Sequence, residues 1–176
     1  MKKISIAQRL CRAGVIAALY VALTYAFMPF AFGPFQFRPA EALCLLPLFF
    51  PEAIPALYVG CMLSNLASPF LVYDVFIGSL ATLLAALITY MVGRFVKKTW
   101  LKITLGGLAP VLLNAFLIPL IIVFLCDGGV GYETQTIAYF SYVGSLFLTE
   151  CVWVYALGTP LFFFIVNEQK RSRLFR

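Results

Sequence analysis

The sequence contains no histidine, and charged side chains make up only 11% of its residues. Without histidine, the chain has neither a histidine-based metal site nor a histidine general base. The P-loop pattern G-x-x-x-x-G-K-[ST] and the nucleophile pattern G-x-S-x-G are also missing from the sequence. We therefore expect no ATP bound through a P-loop and no hydrolase site of that kind. The sequence predicts a protein without a cofactor, a metal site or catalytic residues.

Cysteine occurs at five positions, but no C-x-x-C pair is present, and we expect no disulfide framework. Cys44, Cys61 and Cys151 lie inside apolar runs. A thiol in such a run behaves as a small hydrophobic side chain, so we interpret these three residues as packing residues.

Apolar residues dominate what is present. They make up 63% of the chain, and the mean hydropathy is +0.99. A soluble domain has about 45–50% apolar and about 25% charged residues. A soluble domain of this chain's composition could not bury all of its apolar surface. The composition therefore predicts a single integral membrane domain over residues 1–176, surrounded by the lipid bilayer.

The basic residues are grouped, and each of three groups adjoins an apolar run. The groups are Lys2, Lys3, Arg9 and Arg12; Arg94, Lys97, Lys98 and Lys102; and Lys170, Arg171, Arg173 and Arg176. Short basic flanks of membrane spans stay in the cytoplasm. Because the groups are short and form no continuous basic face, we expect no nucleic-acid partner.

An even number of spans must separate these groups if all three face the cytoplasm. The apolar runs that satisfy this condition are residues 13–30, 39–50, 53–68, 74–93, 103–125 and 138–166. The sequence thus predicts an all-α protein with six transmembrane helices and both termini in the cytoplasm. The second run is short, because about 12 helical residues reach only about 18 Å across a hydrocarbon core of about 30 Å. It either starts earlier or is a short helix buried among the others, with Pro39 in its first turn.

The stretch GPFQFRPAEAL, residues 33–43, brings Gln36, Arg38 and Glu41 together in an otherwise apolar chain. Charges within a membrane are costly and usually face a cavity or a partner. Arg38 is the one basic residue outside the three groups, and Glu41 follows it at i+3 on the same helix face. The two residues are either part of a polar site or an internal ion pair.

A second polar position lies in the last apolar run, at Glu150. Tyr142, Glu150 and Trp153 fall on a common arc of that helix, which makes an aromatic wall with a carboxylate. Asn114 lies in the middle of the fifth run, and a buried amide must find a partner. These residues are candidates for a ligand site, and the alternative is hydrogen bonding between neighbouring helices.

Small residues recur at every fourth position in two runs, which lets another helix approach closely. In the third run, this stripe is interpreted as contact within the bundle; its members are Ala56, Gly60, Ser64 and Ser68. In the first run, contact with a partner and contact within the bundle both remain open; the residues are Ala13, Gly14, Ala17, Ala18 and Ala22.

Two other polar features have simple interpretations. Asp74 opens the fourth run and is interpreted as a helix N-cap. The loop at residues 126–137 contains several glycines together with Asp127 and Glu133. Such a loop is either a lid over a site or an ordinary surface loop.

Three segments carry a resemblance to a known family: FGPFQFRPAEAL, PLFFPEAIPALYVGCMLSNL and GSLATLLAA. They resemble the QueT family of queuosine-precursor transporters, which are substrate-binding S components of energy-coupling factor (ECF) transporters. The resemblance implies six helices in a bacterial cell membrane with both ends inside. It also implies a pocket open to the outside, formed by the last three helices and the loop after the first.

The substrate implied by this resemblance is a 7-deazaguanine such as preQ1, the aminomethyl form. A carboxylate accepts the two neighbouring N–H groups of the guanine edge, and we assign Glu150 to that task and Glu41 to the ammonium. Arg38, Gln36 or Asn114 is expected to serve the ring carbonyl. Trp153 or Tyr142 is expected to stack on the ring, as aromatic side chains do on unpaired bases.

The resemblance also implies partners, namely a transmembrane coupling subunit and two cytoplasmic ATPases. S components often carry an A-x-x-x-A pattern that docks on the coupling subunit, and Ala13 with Ala17, or Ala18 with Ala22, fits it. The chain itself is then no enzyme, since ATP is hydrolysed on the partners. The alternatives are an S component for another vitamin-like substrate, or a stand-alone membrane protein or enzyme that uses Glu41 and Glu150 as acid and base.

Overall fold

The computed structural model describes residues 5–31, 36–126 and 131–174, with side chains up to residue 171. Within these residues every regular element is a helix, which confirms the all-α prediction. We number six helices: α1 (Ile6–Ala26), α2 (Pro39–Leu48), α3 (Ala53–Ala67), α4 (Leu71–Phe95), α5 (Thr99–Leu125) and α6, which starts at Gln135 and continues through Val152–Leu157 and Gly158–Leu174. A single further turn, Met28–Ala31, follows α1.

Four of these helices, α1, α4, α5 and α6, are long and apolar enough to cross a membrane, whereas α2 and α3 are shorter. Large apolar side chains on the outer faces are exposed, as Phe76 at 64% and Leu148 at 67% illustrate. A bilayer is the solvent that such faces require, because lipid tails are as apolar as the side chains. The order of the helices matches the sequence prediction. Four of the six helices are long and apolar enough to support the prediction that they cross the membrane.

The first helix begins earlier than the predicted run at residues 13–30. Ser5 accepts a hydrogen bond from the backbone of Gln8, and the Gln8 side chain accepts one from the backbone of Ser5. This capping box stabilises a helix start at Ile6. The predicted run marks the apolar part of the span, whereas the cap sets where the helix starts, so α1 includes Arg9 and Arg12 before that run.

The short helix α2 has 3₁₀ geometry, and all ten of its residues are buried. At about 2.0 Å per residue its length is about 20 Å, which falls short of the hydrocarbon thickness of about 30 Å. Pro39 occupies its first turn, as predicted. Pro47 lies inside the helix, where the missing amide N–H favours a departure from regular α-helix. The helix therefore lies among the others as a buried element.

Gly60 lets α3 approach α1 closely. A Cβ atom built on Gly60 would lie 3.0 Å from Cβ of Tyr20 and 3.2 Å from the carbonyl oxygen of Ala17. The four small residues of the α3 stripe are all buried. This confirms the prediction that the α3 stripe makes contacts within the bundle.

Each of α4, α5 and α6 contains a π-helical segment, at Asp74–Gly78, Ile121–Leu125 and Val152–Leu157 respectively. Such segments occur frequently at functional sites. The first of them corrects the interpretation of Asp74 as an N-cap. The helix already begins at Leu71, and Asp74 lies inside it with a buried side chain.

The helix ends that carry basic groups meet around the turn between α2 and α3. Arg12 on α1 forms an ion pair of 3.3 Å with Glu52 in that turn. Gly93 on α4 and Gly106 on α5 both lie close to Leu48: a Cβ atom built on Gly93 would be 2.8 Å from the Leu48 carbonyl oxygen, and one built on Gly106 would be 3.0 Å from Leu48 Cδ2. The ring of Phe162 on α6 packs on that of Phe49, with the centroids 4.8 Å apart. The start of α1, the end of α4, the start of α5 and the later part of α6 therefore lie at one end of the bundle.

Candidate functional site

Four ionisable side chains that are normally exposed are buried among the described residues. Glu41 and Asp74 are each 1% exposed, Glu150 is 4% exposed and Arg38 is 6% exposed. Such residues are almost never fully buried unless they are paired. The partners of each side chain therefore indicate what the interior of the bundle is built to bind.

Glu150 on α6 is held by Asn114 on α5. The amide Nδ2 of Asn114 donates a hydrogen bond of 3.0 Å to Oε1 of Glu150. The other oxygen, Oε2, is buried and has no hydrogen-bond partner within the described residues. The structure thus brings together two predicted site residues and leaves one strong acceptor open in the interior.

Glu41 on α2 has a donor for each oxygen. The hydroxyl of Tyr20 on α1 donates to Oε1 at 2.6 Å, and the thiol of Cys44 lies 3.0 Å from Oε2. The sequence singled out neither donor. Tyr20 resembles any other aromatic residue of an apolar span, and Cys44 was interpreted as a packing residue. Cys44 does pack in a buried apolar cluster, as interpreted, and it also meets Glu41, because residues i and i+3 of a 3₁₀ helix stack directly.

Arg38 occupies the N-cap position of α2, and its Nε donates to the carbonyl oxygen of Ala31 at 3.2 Å. Its guanidinium is close enough to interact electrostatically with Glu41, Asp74 and Glu150. The charge of Arg38 therefore lies within reach of three buried carboxylates that belong to three different helices. This is the arrangement of a polar interior.

The segment before α2 is anchored on α6. The ring of Phe37 packs edge-on against Trp153, with the ring centroids 4.2 Å apart. The preceding Gln36 is 4% exposed and has a φ of 44°, a left-handed conformation that is uncommon for a non-glycine residue. The contact holds the segment that carries Gln36 against the part of α6 that carries Trp153.

Tyr142, another predicted site residue, lies two turns before Glu150 and is half-buried. It packs against an apolar cluster that includes Ile118 and Leu146, and its ring centroid is 6.0 Å from that of Tyr132. The described contacts do not join Tyr142 to Asn114 or Glu150. Tyr142 is thus on the predicted face of α6, but at a different level of the bundle.

Asp74 is a buried carboxylate that sequence reasoning did not place in the site. The hydroxyl of Ser68 donates to its Oδ2, and the amide of Asn65 donates to its backbone carbonyl at 2.7 Å. Its Oδ1 is buried without a hydrogen-bond partner in the described part of the chain. A lone acidic residue at the start of an apolar run has the sequence pattern of an N-cap, and no local signal distinguishes the two cases.

The small residues of α1 divide between two faces. Ala13 and Ala17 are half-buried and pack against the core on the side of α3. Gly14, Ala18 and Ala22 are exposed, and a Cβ built on Gly14 would have no atom within 4 Å. The bundle itself therefore uses one part of the predicted stripe and leaves the other part uncovered.

The loop at residues 126–137 is described only in part, since residues 127–130 lie outside the described residues. Glu133 is exposed, and Thr134 caps α6 by accepting a hydrogen bond from the backbone of Ile137. Cys126 packs at the edge of the apolar cluster around Ile118. The choice between a lid and a surface loop remains as the sequence left it.

Comparison with known protein families identifies a relationship. The sequence model of the QueT transporter family matches residues 10–167, which is most of the chain. The chain belongs to the QueT transporter family. No curated protein and no solved structure matches it. The matched region contains every candidate site residue from Gln36 to Trp153 and the whole small-residue stripe of α1. Membership of this family, together with four helices long and apolar enough to cross a membrane, makes the chain a membrane transport protein.

Proposed function

We propose that this QueT family protein is the substrate-binding S component of an ATP-driven ECF importer in a bacterial cell membrane. Its proposed substrate is a 7-deazaguanine queuosine precursor such as preQ1. The observation that carries the proposal is Glu150, a buried carboxylate fixed by Asn114 with one oxygen open. A buried acceptor without a partner is costly, and a ligand with N–H donors offsets that cost.

Each site residue has a proposed task at the ligand. Glu150 accepts the neighbouring N–H groups of the guanine edge, and Arg38 donates to the ring carbonyl. Trp153 packs against the deazaguanine ring of the ligand, and its own position is set by its edge contact with Phe37. The remaining members of the set are Gln36 and Asn114 as further hydrogen-bonding groups, Tyr142 as a second aromatic wall and Glu41 as a carboxylate near the ammonium.

The proposed topology has six crossings with both termini in the cytoplasm. The meeting of the basic helix ends around Glu52 and Leu48 supports it, because residues at one end of a bundle face the same side of a membrane. The coupling subunit is proposed to dock on the uncovered face of α1, at Gly14, Ala18 and Ala22, with Ala13 and Ala17 at its edge. Two ATPase subunits then supply the energy from the cytoplasmic side.

Cysteine labelling tests this topology. In a background with Cys11→Ser and Cys126→Ser, an impermeant thiol reagent added to intact cells should label Glu133→Cys. The same reagent should label Lys97→Cys only after the cells are opened, because basic flanks stay inside. Both positions are exposed on the surface of the protein. A difference in labelling between them therefore reports the side of the membrane and not burial within the protein. Labelling of Lys97→Cys in intact cells would contradict the six-crossing arrangement.

A binding titration tests the proposed substrate. The purified full chain should bind aminomethyl-deazaguanine at least about tenfold more tightly than guanine, because guanine lacks the cationic substituent that the buried carboxylates favour. Calorimetry in detergent measures both affinities. Absence of binding to every deazaguanine precursor by folded protein would refute the substrate, and failure to co-purify with ATPase subunits from cells would refute the S-component role.

A further inference from the structure

The buried formal charges of the bundle do not balance. Within residues 36–126 and 131–171, Arg38 is the only buried basic side chain, whereas Glu41, Asp74 and Glu150 are buried acids. Uncompensated charge in a low-dielectric interior is costly. Protons or a cationic ligand group must therefore offset the excess of carboxylates. A ligand cation is most favoured beside a carboxylate oxygen that the chain itself leaves without a donor.

Asp74 has such an oxygen. Ser68 donates to Oδ2 and Asn65 donates to the backbone carbonyl, so the residue is fixed from two sides. Oδ1 has no hydrogen-bond partner within the described residues, and the residue is only 1% exposed, so bulk water does not replace one. Buried polar atoms of this kind are rare and require an explanation.

We propose that Asp74 is a further substrate-binding residue and that its Oδ1 accepts hydrogen bonds from the cationic substituent of the ligand. This inference rests on the proposed function, in which that substituent is the aminomethyl group of a deazaguanine. It differs from the assignment that the sequence suggested, where Glu41 was expected to meet the ammonium.

The hydrogen bonds of Glu41 favour Asp74 for this role. Both oxygens of Glu41 already have donors from the chain, Tyr20 and Cys44. An ammonium gains more from an oxygen without a donor, because no existing hydrogen bond is weakened and a desolvated charge is neutralised. Glu41 then contributes negative potential and connects α1 to the site, while Asp74 makes the contact.

The position of Asp74 is compatible with Glu150 binding the other edge of the same ligand. Arg38 interacts electrostatically with both Asp74 and Glu150, so one buried guanidinium acts on both carboxylates. Asp74 also lies in a π segment, where the wider turn changes the direction of a side chain relative to a regular helix.

The test compares two ligands that share a ring. In the full-length purified chain, Asp74→Asn should weaken the binding of aminomethyl-deazaguanine by at least about 30-fold. The affinity for cyano-deazaguanine, which has no ammonium, should change less than about threefold. The exposed carboxylate Glu133 provides the matched control, since Glu133→Gln removes the same charge and should change neither affinity. Asp74→Glu should recover part of the lost affinity.

Each other result decides against the inference. Unchanged affinity for both ligands would show that Asp74 is a neutral structural residue, and an equal loss for both would assign it to the ring. If Asp74→Asn does not fold, Ser68→Ala replaces it, because loss of the Ser68 donor leaves Asp74 Oδ2 free. Ser68→Ala should change the affinity for the aminomethyl ligand and leave the affinity for the cyano ligand unchanged. A wild-type affinity for the aminomethyl ligand in this variant overturns the inference. A wild-type chain that binds neither ligand refutes the proposed function instead.

Discussion

Replacement of Glu150 by glutamine is expected to weaken deazaguanine binding by about 30-fold to several thousand-fold. The substitution keeps the shape of the side chain and removes its charge. The N–H donors of the guanine edge then meet the glutamine side chain, which is a weaker acceptor than a carboxylate. Loss of one partner from a buried charged hydrogen bond costs about 2–5 kcal/mol, and each 1.4 kcal/mol is about tenfold in affinity. The loss should affect the aminomethyl and the cyano ligand equally, because both have the same guanine edge.

Glu168→Gln is the matched control for Glu150→Gln. Glu168 lies on the same helix, and its side chain is 53% exposed, so the same change there should leave binding as in the wild type. Calorimetry with both ligands gives the affinities, and a thermal unfolding curve verifies that the Glu150 variant is folded. A neutral Glu150 that only bridges α5 and α6 through Asn114 would tolerate glutamine. Wild-type affinity for every ligand would therefore remove Glu150 from the site.

The helix α1 links the proposed pocket to the proposed docking face. Its buried side carries Tyr20, which donates to Glu41. Its other side carries Ala18 and Ala22, which are exposed. The close approach of Gly60 fixes the rotation of α1 about its axis, because any larger residue there would meet Tyr20 and the backbone of Ala17. The proposed pocket and the proposed docking face therefore lie on opposite sides of one helix, which packs closely on α3.

The helices of this fold were predictable from hydropathy and charge, since apolar runs and basic groups are both visible in the local sequence. The order of the elements followed from the apolar runs, and the shortness of residues 39–50 left a buried helix as one of two alternatives for α2, which the structure selects. The ends were less predictable, because they depend on caps. Ser5 and Gln8 extend α1 into a basic segment, and α4 begins before Asp74.

The candidate site was predictable where a polar residue interrupts an apolar helix. Asn114 and Glu150 stood out for that reason, and they form a hydrogen bond. Tyr20 and Cys44 did not stand out, because their polar atoms become important only when a distant carboxylate packs beside them. Asp74 was noticed but misinterpreted, since burial at a helix start is decided by the neighbouring helices rather than by the local sequence.

Replacement of Ala18 by leucine is expected to reduce substrate uptake by cells at least about tenfold while leaving substrate binding to the isolated chain unchanged. Docking between membrane helices requires small side chains that let the backbones approach, and Ala18 is exposed at the centre of the uncovered stripe. A leucine side chain there would hold the coupling subunit away. Binding should persist, because Ala18 lies on the opposite side of α1 from Tyr20, which is buried.

Uptake of a labelled precursor by cells and titration of the purified chain provide the two measurements for Ala18→Leu. Ala156→Leu is the matched control, since Ala156 is exposed on α6 and the same change there adds the same bulk to an exposed face of another helix. The control should keep both uptake and binding. Uptake at the wild-type level in Ala18→Leu and Ala22→Leu would place the docking surface elsewhere on the bundle. A parallel loss of binding and uptake would instead mean that the stripe supports the fold, because only a docking face separates the two measurements.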